Sequence, residues 1–284
     1  MRYLAPTTVD ETLDLLAEYG DDAKILAGGQ SLLILIREGF VRPEALIGLS
    51  GVAEVRGLDI NGGARIGATV THAEVEHHPG IVRDWPLLAA AEAAVSTLQI
   101  RNRGTLCGNV AHAFPTADPP AALIACDARV QLASRSAGTR DVAAEDFFVS
   151  TMETTARSDE LLTAVSVPPQ PEGARSAYLK YAIRPLDFAI VGASARVLLA
   201  ADGTISQARI GLNGAANRPL RATEAEAVLL GERPTPELFA AAGQAAARQS
   251  QPPDDIDGSA DYKRRVIGVY TRRVLERALA PAPV

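Results

Sequence analysis

Residues 24–33 read KILAGGQSLL: Lys24, Ile25, Leu26, Ala27, Gly28, Gly29, Gln30, Ser31, Leu32, Leu33. A short apolar run meets two adjacent glycines, then a polar pair, then a second apolar run. The pattern predicts a buried strand over 24–27, a glycine turn, and a helix from Ser31 to Glu38 that stops at Gly39. Glycine has no β-carbon, so Gly28 and Gly29 permit strained φ values and let a ligand approach the main chain closely. A helix opening near Ser31 offers unpaired amide hydrogens and partial positive charge, which suits a pyrophosphate. The same residues also read as a tight strand-to-helix turn. They lack the G-x-G-x-x-G spacing of a Rossmann fingerprint.

Working outward, Thr8-Val9-Asp10-Glu11 has capping-box spacing, Val9, Leu13 and Leu16 recur at helical intervals, and Gly20 falls where a helix would end. Short β-like runs follow over 45–49, 54–60 and 64–69, the last two joined across Asn61-Gly62, a hairpin signal. Thr71 can cap a short helix, and Pro86 to Leu98 predicts a longer one. Residues 101–130, RNRGTLCGNVAHAFPTADPPAALIACDARV, contain a second glycine turn, Thr105, Leu106, Cys107, Gly108 and Asn109, a further set of main-chain donors. Asp118-Pro119 then reads as the cap and first residue of a helix ending at Cys126, with a strand from Arg129. The proline- and glycine-rich stretch at 166–176 suggests a boundary near 170. Beyond it, 188–199 and 204–212 form a hairpin across Asp202-Gly203, followed by helices near 222–231, 236–249 and 259–279. Strands first and helices after predict an α+β unit.

The 284 residues are 47% hydrophobic and 22% charged, with net charge −6, which suits a globular chain of two domains. The negative field disfavours nucleic acid and anionic membrane surfaces. No apolar stretch is long enough to span a bilayer, and the N-terminus lacks a signal-peptide core, so a cytoplasmic location is expected. Cys107, Cys126, His72, His77, His78 and His112 are too few and too scattered for a tetrahedral zinc site or a four-cysteine cluster, so no metal is expected on this chain. His77-His78 reads as a solvated helix end, and no catalytic triad or carboxylate dyad stands out.

Together, AGGQS at 27–31, TLCGN at 105–109 and the A-H-A-x-P-x-A-D run after it resemble the FAD-binding medium subunit of the molybdenum hydroxylases. That family includes the flavin subunits of carbon monoxide dehydrogenase and the flavin domain of xanthine dehydrogenase. The similarity runs nearly end to end, through SAYLKYAIRPLDFAIVGASARV at 176–197 and SADYKRRVIGVYTRRVLERAL at 259–279. It implies a PCMH-type, vanillyl-alcohol-oxidase-like FAD domain over 1–170, in subdomains of about 1–53 and 54–170, and a smaller α+β C-terminal domain over 171–284. Ala27 to Leu33, that is Ala27, Gly28, Gly29, Gln30, Ser31, Leu32 and Leu33, would hold the pyrophosphate side of FAD, and Thr105 to Asn109 the second half of the cradle. Val95 and Thr97 fall where the family lines the flavin pocket, and Leu162 and Lys180 where it contacts the isoalloxazine. Asp118 matches an acidic residue that bonds the cofactor, and His112 offers either a flavin contact or ordinary loop hydrogen bonding.

Cys107 departs from the family's usual T-x-G-G-N. If the position needs positive φ, cysteine is strained there and the loop tilts. No histidine is obviously poised to make it a catalytic thiol. The basic residues Lys263, Arg264, Arg265, Arg272, Arg273 and Arg277 of the last helix read as a solvated face or a docking surface. The resemblance implies an electron-transfer subunit that takes electrons from [2Fe-2S] clusters of a small partner, beside a molybdopterin large subunit, in a dimer of heterotrimers. A stand-alone FAD oxidase or reductase and a scaffold without flavin are the alternatives.

Overall fold

A computed structural model describes residues 1–280. The last four residues of the expected 171–284 domain lie outside them. The chain opens with β1 (Arg2–Leu4), α1 (Val9–Tyr19), β2 (Ala23–Leu26), α2 (Leu32–Arg37) and β3 (Ala45–Gly48), whose strands form a parallel sheet in the order β1-β3-β2. Thr8 caps α1 by accepting from the Glu11 amide at 3.1 Å. The Glu11 carboxylate reaches one residue further back than a capping box requires, to the Thr7 amide and hydroxyl. Gly20, at φ 53°, closes the helix as expected.

Next come β4 (Leu58–Ile60), β5 (Ala64–Gly67), α3 (His72–His77), α4 (Pro79–Asp84), α5 (Pro86–Ala93), α6 (Leu98–Arg101), α7 (Leu106–His112) and α8 (Asp118–Ala125). The strand expected over 54–60 shortens to β4, because Ala53–Val55 winds into a single 3-10 turn. The hairpin turns at Asn61-Gly62-Gly63, with Gly62 at φ 65°. Thr71 and Glu74 complete a reciprocal capping box on α3. The long helix expected from Pro86 to Leu98 breaks at Ala94: Ser96 takes φ 38°, and Thr97 caps a new helix, accepting from the Ile100 amide. His78 caps α4 through its ring nitrogen, and His77 stands in solvent.

The strands β6 (Arg129–Ser134), β7 (Gly138–Ala143), β8 (Phe148–Ser150), β9 (Glu153–Thr154) and β10 (Glu160–Val167), with the short α9 (Ala144–Phe147), complete this half. An antiparallel sheet runs β4-β5-β10-β6-β7, with a bulge between Leu162 and Ala164. The remainder is β11 (Arg175–Tyr181), β12 (Val191–Leu199), β13 (Ile205–Asn213) and β14 (Leu220–Arg221), antiparallel in chain order, then α10 (Thr223–Leu229), α11 (Pro236–Gln249) and α12 (Ala260–Leu279). The fold is α+β throughout.

Two buried apolar clusters result, one built around Ile47, Leu88, Leu123 and Phe147, the other around Val191, Ile210, Phe239 and Val274. Between them lies α8, all eight of whose residues are buried. A helix apolar on every side belongs between two packed layers. Its approach is close: a β-carbon on Gly211 of β13 would lie 2.0 Å from the Ala121 carbonyl oxygen. Asp127, just past α8, binds both Arg196 of β12 and Arg209 of β13. The last helix is not uniformly solvated: Lys263 is buried against Asp255 and the Pro253 carbonyl. Arg264 pairs with Asp261, and Arg273 lies over the Tyr270 ring.

Candidate functional site

The glycine pair does two different jobs. Gly29 has φ 74°, the left-handed conformation that glycine adopts without penalty. Gly28 is required by proximity: a β-carbon there would lie 2.1 Å from the Arg103 carbonyl oxygen and 2.7 Å from the Gly104 α-carbon. What crowds Gly28 is thus the main chain leading into the second glycine-bearing stretch. The first motif therefore touches, backbone to backbone, the two residues just ahead of the second, 75 residues away in sequence when counted from Gly28 to Arg103.

That second stretch is the first turn of a helix rather than a free loop. Thr105 caps α7, accepting from the Gly108 amide at 3.0 Å, and the segment is tied down by Leu106 N–H to the Val70 carbonyl at 3.2 Å. Cys107 sits inside the turn with no positive φ, so the strain expected of it is absent. Its thiol is buried, donates to the Ile66 carbonyl, and is pushed up to about 12 by burial, which keeps it protonated and unreactive.

Both contacts fall on the segment from Ala94 to Asn109, called here the wall: Gly28 stands against its later part and Lys180 on its beginning. Lys180 donates to the Ala94 carbonyl at 2.9 Å and to Asp118 Oδ2 at 2.9 Å. Asp118 also accepts from the Tyr178 hydroxyl. It is therefore not a helix cap: Ala117 holds that position, and Asp118 is the first residue of α8 with its carboxylate turned to β11. Burial pushes the Asp118 carboxyl up, opposed by the Lys180 ammonium, and burial raises the Tyr178 hydroxyl further above its usual range. An ammonium has three protons to donate, and two protein partners leave one unassigned.

Val95 is buried, and Thr97 is engaged as the α6 cap. Leu162 is buried at the β10 bulge. His112, at the C-terminal end of α7, stacks on Phe114 at 6.0 Å between centroids; Phe114 in turn meets Phe188 at 5.1 Å. Partial burial lowers the pKa of His112, so its ring is neutral at pH 7. Gln30 turns back to the Gly28 carbonyl. Leu33 and Ile34 of α2, which has no buried residue, remain about half exposed at 46% and 50%.

Four residues with no site role assigned from the sequence hold this segment. Arg101 binds Glu76 at 2.7 Å and the carbonyls of Val95 and Ser96, stabilising the strained turn after α5. Arg103 and Gly104 carry the contact with Gly28, and His72 packs behind them, paired to Glu92. The R-N-R-G run before Thr105 was the available signal: a glycine just ahead of a cap marks a close approach.

The arrangement suits a pyrophosphate-bearing dinucleotide on three counts. Among the described residues, the amides of Gly29, Gln30 and Ser31 donate to no protein acceptor. Neither stretch, 27–33 or 103–112, contains an acidic side chain. The buried Asn109 Oδ1 has no donor among the described residues, and a ribose O–H or a ring N–H could supply one.

Comparison with known proteins agrees. The family model for the FAD binding domain in molybdopterin dehydrogenase matches residues 1–170, and that for the CO dehydrogenase flavoprotein C-terminal domain matches residues 176–278. The chain is 36% identical to the 6-hydroxypseudooxynicotine dehydrogenase complex subunit alpha of Paenarthrobacter nicotinovorans, over 98% of this chain and 94% of that one. It is 36% identical to the carbon monoxide dehydrogenase medium chain of Hydrogenophaga pseudoflava, over 98% and 96%. Among solved structures, that organism's carbon monoxide dehydrogenase superposes with TM-score 0.94 at 37% identity, covering 98% of this chain and 96% of the other. Quinoline 2-oxidoreductase from Pseudomonas putida 86 follows at 0.92 and 33% identity, covering 98% and 96%. With glycine motifs, fold and both halves of the sequence in agreement, the chain belongs to the FAD-binding subunits of the molybdopterin dehydrogenases, oxidoreductases of the carbon monoxide and xanthine dehydrogenase family.

Proposed function

We propose that FAD is seated with its diphosphate between the Ala27–Leu33 turn and the Thr105–Asn109 helix start. In this reading the chain relays electrons from [2Fe-2S] clusters on a small partner subunit to an external acceptor, the molybdopterin group residing on a large subunit. A dimer of such heterotrimers in the cytoplasm is the assembly this reading implies. The observation that carries it is the main-chain contact of Gly28 with Arg103 and Gly104, which brings the free amides of one acid-free stretch beside the helix start of another. Bound FAD supplies the redox chemistry, accepting electrons and releasing them.

What the chain contributes is position and environment. Amides of Gly29, Gln30 and Ser31 would neutralise diphosphate oxygens with charge-assisted hydrogen bonds, about twice as strong as neutral ones. Lys180 keeps one proton for a ring carbonyl or nitrogen, and Asp118 with the Ala94 carbonyl holds its ammonium in place. Val95 and Leu162 offer apolar wall, and neutral His112 a flat ring stacked on Phe114. The division into two domains belongs near 170, in the Pro168–Gly173 connection between the strands carrying the two cores. The first half would divide further near 53, between its parallel and antiparallel sheets.

Purification of the chain with its two neighbouring gene products tests the reading. A yellow chain whose flavin is reduced only when the iron-sulfur partner is present supports it. A colourless chain in an active complex, or a single chain turning over an organic substrate alone, refutes it.

A further inference from the structure

Behind the contact of the two motifs sits a buried pair that no cradle residue needs for its own hydrogen bonding. His72 is the first residue of α3; its amide donates to the Gly104 carbonyl at 2.9 Å. Its side chain is 4% exposed, and Nδ1 lies 2.5 Å from Oε2 of Glu92, whose side chain is 0% exposed. The other carboxylate oxygen, Oε1, has no hydrogen-bond partner among the described residues. The imidazole edge abuts Gly104: a β-carbon there would lie 3.0 Å from His72 Cδ2 and 3.3 Å from Nε2. Gly104 and the Arg103 carbonyl in turn abut Gly28. A physical chain therefore runs from Glu92 on α5 through the imidazole and Gly104 to the first glycine motif.

We propose that His72 and Glu92 are positioning residues of the nucleotide seat: the carboxylate fixes the plane of the imidazole, and the imidazole sets how far Gly104 and Arg103 stand from Gly28. The proposal rests on the FAD reading above. A buried pair of this kind is weak evidence for stability, because an apolar pair of similar volume often serves a buried site as well or better. What the hydrogen bond adds is direction. A ring pinned at Nδ1 presents one fixed edge to Gly104, whereas an unpinned ring can tilt and let the second motif shift toward or away from the first. The nearby charges are otherwise engaged: Glu76 and Arg101 pair with each other at 2.7 Å, and Asp118 is held by Lys180 and Tyr178.

The test uses the full chain stripped of flavin, with FAD affinity from fluorescence quenching and melting temperature read side by side. The double variant His72→Phe/Glu92→Leu fills the space without the hydrogen bond. It is expected to melt no lower than the native chain and to bind FAD about tenfold more weakly, since a tenfold change is only ~1.4 kcal/mol. Glu92→Gln keeps an acceptor for Nδ1–H and should stay within about threefold of native affinity. Native affinity in the double variant would overturn the proposal. So would a loss of affinity that tracks a fall in melting temperature, which assigns the pair to general packing, or a Glu92→Gln chain as weak as the double variant. Native chain that binds no FAD at all would instead refute the function proposed above, so the two failures are distinguishable.

Discussion

Gly28 is held by contact rather than by dihedral angle, and this fixes what its replacement should do. Alanine there would press its β-carbon onto the Arg103 carbonyl at 2.1 Å, forcing the two motifs apart. An overpacked contact of this kind costs about 1–3 kcal/mol. Gly28→Ala should therefore remain folded by circular dichroism while its FAD affinity falls about tenfold or more. Unchanged affinity in the folded variant would remove Gly28 from the seat. The sequence reads the glycine as making room for a ligand, whereas the group nearest the missing β-carbon is the Arg103 carbonyl; the R-N-R-G run signals a close approach at Gly104 but not that its partner is Gly28, 75 residues earlier than Arg103. Cys107 teaches the converse. Its departure from the family glycine suggested strain, yet it sits in the first turn of α7 at ordinary φ. With its thiol buried and pushed up to about 12, a thiol reagent at pH 8 should label it only after denaturant is added. Rapid labelling of the native chain would contradict this burial.

Among the elements, the end of α5 matters most. Three carbonyls at and just past its C-terminus are held by cations, Ala94 by Lys180 and Val95 and Ser96 by Arg101, which places positive charge at the negative end of the helix. Alanine-rich periodicity predicted one helix to Leu98, whereas the Ser96-Thr97 pair, which could break and recap it, was the overlooked signal. Other elements were legible because their signals are local: the Thr8 and Thr71 caps, the Asn61-Gly62 turn, and the α11 and α12 helices. Asp118 was misread as a cap for the opposite reason, since its partners Tyr178 and Lys180 lie on a strand about sixty residues away. Lys180→Met leaves the buried Asp118 carboxylate without its cation and should destabilise the chain by about 3–5 kcal/mol in urea unfolding, with Asp118→Asn/Lys180→Met recovering most of the loss. A single variant as stable as the native chain would show that the pair is not coupled. At the start of β10, Glu160 accepts a bidentate bond from Arg140, which holds its carboxyl below the ordinary 4.5. A lowered folded-state value means that its stabilisation is present above 4.5 and is lost as pH falls through that lower value. Glu160→Gln should accordingly show a shallower loss of stability on acidification than the native chain, measured by denaturant midpoints between about pH 6 and pH 3.

At the scale of the whole molecule, the buried α8 and the Asp127 clamp join the two cores, so the wall from Ala94 to Asn109 is braced by both halves. Lys180 of β11, in the second half, reaches its beginning at the Ala94 carbonyl, and Tyr178 and Lys180 together hold Asp118 of α8. Fold and family were open to reading in the sequence because their signals repeat along its entire length, whereas the contacts that assemble the seat depend on packing between distant segments. The central claim, that the two glycine motifs together grip the diphosphate, is tested most directly by hydrogen–deuterium exchange of the flavin-stripped chain with and without FAD. Peptides covering residues 27–33 and 105–112 should exchange markedly more slowly with FAD bound: the Gly29, Gln30 and Ser31 amides, which donate to no protein acceptor among the described residues, would then donate to phosphate, and the first turn of α7, whose Leu106, Gly108 and Asn109 amides already donate within the protein, would be held against opening. Slowed exchange confined to other segments, with these two unchanged, would contradict the account.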